Sequence, residues 1–182
     1  RDVTWNPHFP SVARTAIAMN RSTGKNDVDG VILLTQWAFV YLVEGLGAIP
    51  IDGNEIYAVD IMPLLEARTD LDGTSYLRVV FEAMVKSMSF DRLSGRFTPV
   101  LRNTLRSLRE KQIIMYSSDV ETQLGLESLG WAGAFEPPPG DSIGIFDSNI
   151  GWNKSDRNVE RSMEYSAQIS DQGEIDSVLT LE

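Results

Sequence analysis

The side chains best equipped for chemistry are arginines. Arg102, Arg106 and Arg109 stand at i, i+4 and i+7 of one predicted helix, with Arg92 and Arg96 just upstream and Arg78 on the helix before. Guanidinium forks suit a two-point grip on a phosphate or on the carboxylate of a uronic-acid polymer. The same pattern also occurs on plain solvated helix faces. Arg78, Arg96, Arg102 and Arg106 are the candidate anion-binding residues. A second cluster, Asp147, Asn149, Asn153 and Asp156, offers hard oxygen ligands of the kind Ca²⁺ or Mg²⁺ takes, without the regular odd-position spacing of an EF-hand. Asn and Gly in that loop serve turn geometry equally well.

Other chemistries find less support. His8 is the only histidine and sits between Pro7 and Phe9 with no orienting partner in view, so a Ser-His-Asp triad has nothing to build on. Zero cysteines exclude thiol catalysis, disulfides and Cys-ligated metals. Gly30 and the pair Gly45-x-Gly47 do not form a dinucleotide fingerprint, because Gly45 and Gly47 close a predicted helix instead of opening one. No catalytic residue is identified.

The charge balance sharpens the arginine reading. The 182-residue chain carries a formal net charge of -10, which argues against nucleic acid as a partner. From Arg68 to Lys111 there are nine basic and five acidic residues, whereas from Asp156 to Glu182 there are two basic and seven acidic. The middle of the chain can therefore meet an anion that the whole would repel. The longest apolar run, Val31–Val43, is broken by Thr35 and Gln36. It is too short to span a bilayer, so any membrane anchor lies outside this sequence. The chain does not begin with Met and is expected to be a piece of something longer.

The elements that must position these groups centre on Val28–Ile56. Val31–Leu34 is a continuous apolar run that suits a strand buried on both faces. Thr35 caps a helix with Phe39, Leu42 and Val43 inward; Gly45 and Gly47 end it, Ala48–Ile51 is a strand, and Asp52-Gly53 signals a hairpin into Glu55–Tyr57. A helix from Pro10 to about Thr23 precedes this stretch. After it come a short helix over Ile61–Ala67 capped by Asp60 and two amphipathic helices. Leu77, Val80, Phe81, Met84, Val85 and Met88 form the apolar stripe of the first; Val100, Leu101, Leu105 and Leu108 form that of the second. Gln112–Tyr116 is a strand, Ser118 or Asp119 caps a helix ending at Gly130, Pro137-Pro138-Pro139-Gly140 is a stiff connector, and Ser142–Phe146 is a further strand. Val159–Ser170 and Glu174–Leu181 alternate as a hairpin around Asp171-Gln172-Gly173. The expected fold is α/β, a mixed β-sheet with helices on both faces in three layers α/β/α, plus a C-terminal β-hairpin. Residues 1–157 form the α/β domain, its N-terminal part expected upstream, and 158–182 the hairpin extension.

Four stretches together resemble a known family: W-x-P-x-F-P-S-x-A at Trp5–Ala13, V-D-G-V-I at Val28–Ile32, L-G-W-A-G-A at Leu129–Ala134, and D-S-N-I-G-W-N-K-S-D-R at Asp147–Arg157. They are similar to a bacterial domain of unknown function found in large, membrane-anchored envelope proteins, where Asp is expected at the place of His8. The resemblance implies an extracytoplasmic position in the cell envelope and no particular activity. A more distant likeness, carried by the strand, helix, Leu46-Gly47 turn and Ile49–Ile51 strand with Arg78 beyond, is to the LytR–CpsA–Psr cell-wall ligases. It implies transfer of a polymer from a polyprenyl pyrophosphate carrier, with arginines and Mg²⁺ holding the pyrophosphate and an apolar tunnel under the helix Gln36–Glu44. Two functions from different classes therefore stand side by side: an envelope domain that binds a glycan, a lipid-linked polymer or a protein, and a phosphotransferase-type ligase. The residues alone leave enzyme or binding module open.

Overall fold

The computed structural model describes residues 6–72, 75–89, 93, 95–135, 143–146 and 159–182, with the backbone alone for 68–72 and 75. The chain divides into two compact units, Arg1–Ser142 and Ile143–Glu182. The loop Asp147–Arg157, with its four candidate metal ligands Asp147, Asn149, Asn153 and Asp156, lies outside the described residues, as do Arg92 and the connector Pro137–Gly140.

The first unit runs α1 (Phe9–Ser22), β1 (Gly30–Leu34), α2 (Gln36–Leu46), β2 (Ile49–Ile51), β3 (Asn54–Ile56), α3 (Ala58–Asp72), α4 (Ser75–Ser87), α5 (Phe97–Arg109), β4 (Ile113–Ser117) and α6 (Val120–Ser128). The second is a hairpin of β5 (Met163–Ile169) and β6 (Ile175–Leu181). The chain is thus a mixed α/β protein ending in a β-hairpin. Its described strands pair as three antiparallel ribbons, β1 with β4, β2 with β3 and β5 with β6.

The β1–β4 ribbon has helices on both faces, and its register explains why. Val31 faces Tyr116 and Leu33 faces Ile114, and these four side chains meet Phe9, Val12 and Ala13 of α1. The alternate positions Leu34, Ile113 and Met115 point the other way, into the main core with α2 and α5. Ile32 departs from the expected strand buried on both faces: it is 63% exposed.

That main core is packed from Ala38, Phe39, Leu42, Val43 and Leu46 of α2 against Ile49, Ile51, Ile61, Leu65, Val80 and Met84. Local signals set the ends of its elements. Thr35 caps α2 by accepting from the Ala38 amide, and Asp119 caps α6 by accepting from that of Thr122. Asp52 and Gly53 take φ 50 and φ 80 degrees, both positive as a two-residue hairpin turn between β2 and β3 requires. Asp60 does not cap by position: α3 begins at Ala58, and Asp60 reaches back from the third helical residue to accept from the Tyr57 amide at 2.9 Å. That contact is half of a capping box.

Further expectations are corrected in the helices. Phe81 and Val85 of α4 are exposed, because the inward side of that helix is set by Tyr76, Val80 and Met84. Leu101 and Leu105 of α5 are exposed too, while Asn103, Ser107 and Leu108 turn inward. The reason is the α2–α5 approach. Gly45 lets the helices close so tightly that a Cβ there would lie 2.8 Å from Val100 Cα, and Asn103 Nδ2 donates to the Tyr41 carbonyl at 2.9 Å. Finally, residues 143–146 form no strand.

Candidate functional site

Four helix ends, the short strand β3 and the turn after α2 converge on one polar cleft. The C-terminus of α2 supplies Leu46, the turn after it Gly47 and Ala48, β3 Glu55, the residue before α3 Tyr57, the last residue of α4 Ser87, and the residue before α5 Arg96. Together they enclose about 390 Å³. Gly47 is required twice. Its φ of +86° is one that side-chain-bearing residues avoid, and the space its Cβ would take is filled by the Arg96 guanidinium. Arg96 Nη1 donates to the Leu46 carbonyl.

Across the cleft, the Tyr57 hydroxyl donates to Glu55 Oε2 at 3.1 Å. That bond, followed by the negative charge of Glu55, raises the Tyr57 pKa above its ordinary value, so the phenol remains a proton donor. Ser87 is 2% exposed, and its hydroxyl has no hydrogen-bond partner among the described residues. Among the described residues neither Glu55 nor any imidazole is hydrogen-bonded to it. The cleft offers a fixed cation, a carboxylate, a half-exposed aromatic ring and a buried hydroxyl without a partner among the described residues. That set holds a polar ligand by donors and acceptors together.

The arginines named from the sequence do not gather there. Among the described ones, Arg96 alone lines the cleft. Arg102 and Arg106 belong to the outward side of α5, a shallow surface of about 590 Å³ lined also by Thr98, Leu101, Leu105, Arg109 and Glu110. Arg106 is already engaged: Nε bonds Glu110 Oε1 at 2.8 Å, and the guanidinium carbon lies 4.0 Å from the Tyr41 ring centre. The second contact has the geometry of a cation–π pair. The Tyr41 hydroxyl donates to the other Glu110 oxygen at 2.7 Å. Arg78 Nε lies 3.7 Å from Glu82 Oε1 along exposed α4. Such a contact is of the ordinary surface kind and contributes little. Among the described residues no group of three or more His, Asp or Glu is placed to hold a metal.

His8 is structural in its contacts. Its Nδ1 lies 3.1 Å from the Phe135 amide and 3.2 Å from the Phe135 carbonyl, while the Phe9 amide donates to Gly133 O at 3.0 Å. The first and third of the four resembling stretches, far apart in the chain, thus meet in space. Sequence reasoning missed Ser87, Glu55 and Tyr57. The one signal pointing to them was the glycine turn, since Gly47 marks where another group comes close to the backbone.

Residues 1–69 match the model of a family described as a protein of unknown function, DUF4012. The match agrees with the likeness to a domain family of unknown function, and it spans α1 to most of α3, including Gly47, Glu55 and Tyr57 but not Ser87 or Arg96. No curated protein and no solved structure matches the chain.

Proposed function

We propose that the chain is an extracytoplasmic cell-envelope domain that binds a glycan in the Arg96 cleft. The observation that carries this reading is the mixed polar lining around Tyr57. Sugars present hydroxyls that donate and accept at once, and rings whose C–H faces lie against an aromatic side chain. Glu55 accepts, Arg96 donates, Ser87 does either, and Tyr57 supplies the ring. The envelope location rests on the resembling stretches. No described helix is long and apolar enough to cross a membrane.

The test is titration of the intact protein with peptidoglycan fragments and wall oligosaccharides, followed by calorimetry. Saturable binding that Tyr57→Ala abolishes is the expected result. An empty screen with folded protein, or binding indifferent to Tyr57→Ala and Arg96→Gln, would sink it. A periplasmic or surface reporter fused to the parent protein tests the location.

Transfer from a polyprenyl pyrophosphate with Mg²⁺ is a second reading. One observation favours it: Arg96 is held against the Leu46-Gly47 turn that carries the likeness to cell-wall ligases. It fits less well because Glu55 shares the cleft with Arg96, whereas Arg106 lies on the separate outward surface of α5. Ten residues of helix part the two arginines, a rise of roughly 15 Å along the axis and too far for one pyrophosphate. Turnover of a short-chain prenyl-pyrophosphoryl saccharide would establish transfer over simple binding.

A further inference from the structure

We infer that the ligand of the cleft is an anionic saccharide, its acidic group on Arg96 and one of its hydroxyls on Ser87 Oγ. This rests on the glycan reading and adds its charge and its contacts.

Arg96 differs from the other arginines in what surrounds it. Arg21, Arg78 and Arg106 each have a carboxylate partner, at 2.8, 3.7 and 2.8 Å respectively. Arg96 instead donates to an uncharged carbonyl, that of Leu46, and among the described residues no carboxylate pairs with it. A guanidinium has five N–H donors, so most of its hydrogen-bonding capacity and its whole charge remain unspent. Arg14, Arg102 and Arg109 also lack a carboxylate among the described residues, but Arg14, bonded to Ser11 Oγ, is exposed on α1, and the other two stand on an open helix side. Arg96 is fixed by Leu46 and by the space that Gly47 leaves, which aligns the fork before any ligand arrives.

Ser87 points to a ligand independently. The residue lines the cleft, and its hydroxyl is buried and without a hydrogen-bond partner among the described residues. Burying a hydroxyl without a partner opposes folding, so such groups are rare unless a ligand completes them. Ser107 is the internal control: it is equally buried and unpaired, but it lies on the inner side of α5 and is not among the residues lining the cleft.

Glu55 argues against a bare anion. It borders the same space and repels a free phosphate or acetate. A sugar acid turns hydroxyls toward Glu55 and its charge toward Arg96. A carboxylate, as in a uronic acid, and a phosphate, as in a sugar phosphate polymer, share this chemistry, and the probes separate them.

The intact chain is titrated by calorimetry with oligogalacturonate, with neutral galacto-oligosaccharide, with galactose 6-phosphate and with inorganic phosphate. Expected is binding of at least one acidic sugar about tenfold tighter than its neutral counterpart, with inorganic phosphate inert. Arg96→Gln, and Arg96→Lys as the variant that keeps charge without the fork, should bring acidic ligands down toward the neutral level. Ser87→Ala should weaken all saccharides several-fold while raising the melting temperature. Ser107→Ala should raise the melting temperature and leave affinity unchanged. Equal affinity for acidic and neutral sugars overturns this inference and leaves the glycan reading standing; no saccharide binding overturns both. Tight inorganic phosphate with no saccharide preference would mark a plain anion site, again overturning it.

Discussion

The Arg96 cleft and the outward side of α5 hold arginines that look alike in sequence and differ in circumstance. On α5, Arg106 has Glu110, the Tyr41 ring and the Tyr41 hydroxyl around it, so its charge is already answered. At the start of the same helix, Arg96 is pinned by a neutral carbonyl in a concave site beside an unpaired buried serine. On the proposed reading, density of positive charge is a poor guide to ligand binding. What distinguishes a site is a charge held in place and left unanswered.

The strongest way to break the comparison is at Gly47. Gly47→Val places a branched side chain at φ +86° and in the volume of the Arg96 guanidinium. A cost on the order of 1–3 kcal/mol is expected from the backbone alone. Arg96 is expelled as well, so saccharide binding is lost even below the melting transition. On the open side, Arg102→Ala with Arg109→Ala should stay within about 0.5 kcal/mol of the parent and bind normally. Urea unfolding and calorimetry on both proteins decide it. Normal binding by Gly47→Val would mean that Arg96 is not the anchor.

A smaller effect is expected at Asn103, which lies beneath the α5 surface. Asn103 Nδ2 is bonded to the Tyr41 carbonyl between α2 and α5. Asn103→Ala removes that bond and leaves a hole, which should cost about 1–2 kcal/mol. Arg96 is about 10 Å away along the helix, so affinity for the cleft ligand should persist. Melting curves and a titration at a temperature where both proteins are folded check the two halves. A parallel loss of affinity would mean that the two regions act as one.

Much of the fold was legible because local rules governed it. Thr35 and Asp119 cap where their side chains predict, Asp52-Gly53 turns a hairpin, and the alternation of Met163–Ile169 with Ile175–Leu181 gives the final ribbon. The helix faces of α4 and α5 were less legible. An apolar stripe says which residues prefer burial, but close approach at Gly45 and the bond from Asn103 decide which side of α5 meets α2. Of the site, only Arg96 was readable. Glu55, Tyr57 and Ser87 are single ordinary residues in three separate parts of the chain, and no spacing links them until it has folded. The four acidic and amide candidates at Asp147–Asp156 lie outside the described residues, so the fold bears only on the arginines.

The mildest test uses the two Tyr–Glu pairs, one on each region. Tyr41–Glu110 is closed by Arg106, while Tyr57–Glu55 faces the cleft without an arginine between them. Bonds from Arg106 and then Tyr41 hold the Glu110 carboxyl below its ordinary value near 4.5. Its contribution is therefore present above that pH and is lost as pH falls through the lower folded value. The bond to Glu110 raises Tyr41 above 10.0. The neutral phenol is thus favoured, and that contribution is lost as pH rises through the higher folded value. Melting temperatures of the parent and Arg106→Gln should therefore differ slightly on the plateau between the two and converge at the acid end, where Glu110 is protonated in both. Tyr57 also titrates high, through Glu55, and it should be the phenol whose absorbance titration moves when a saccharide binds, with Tyr41 unchanged. A ligand that shifts Tyr41 and spares Tyr57 would place binding on α5, where the positive charge is dense, and reverse the comparison.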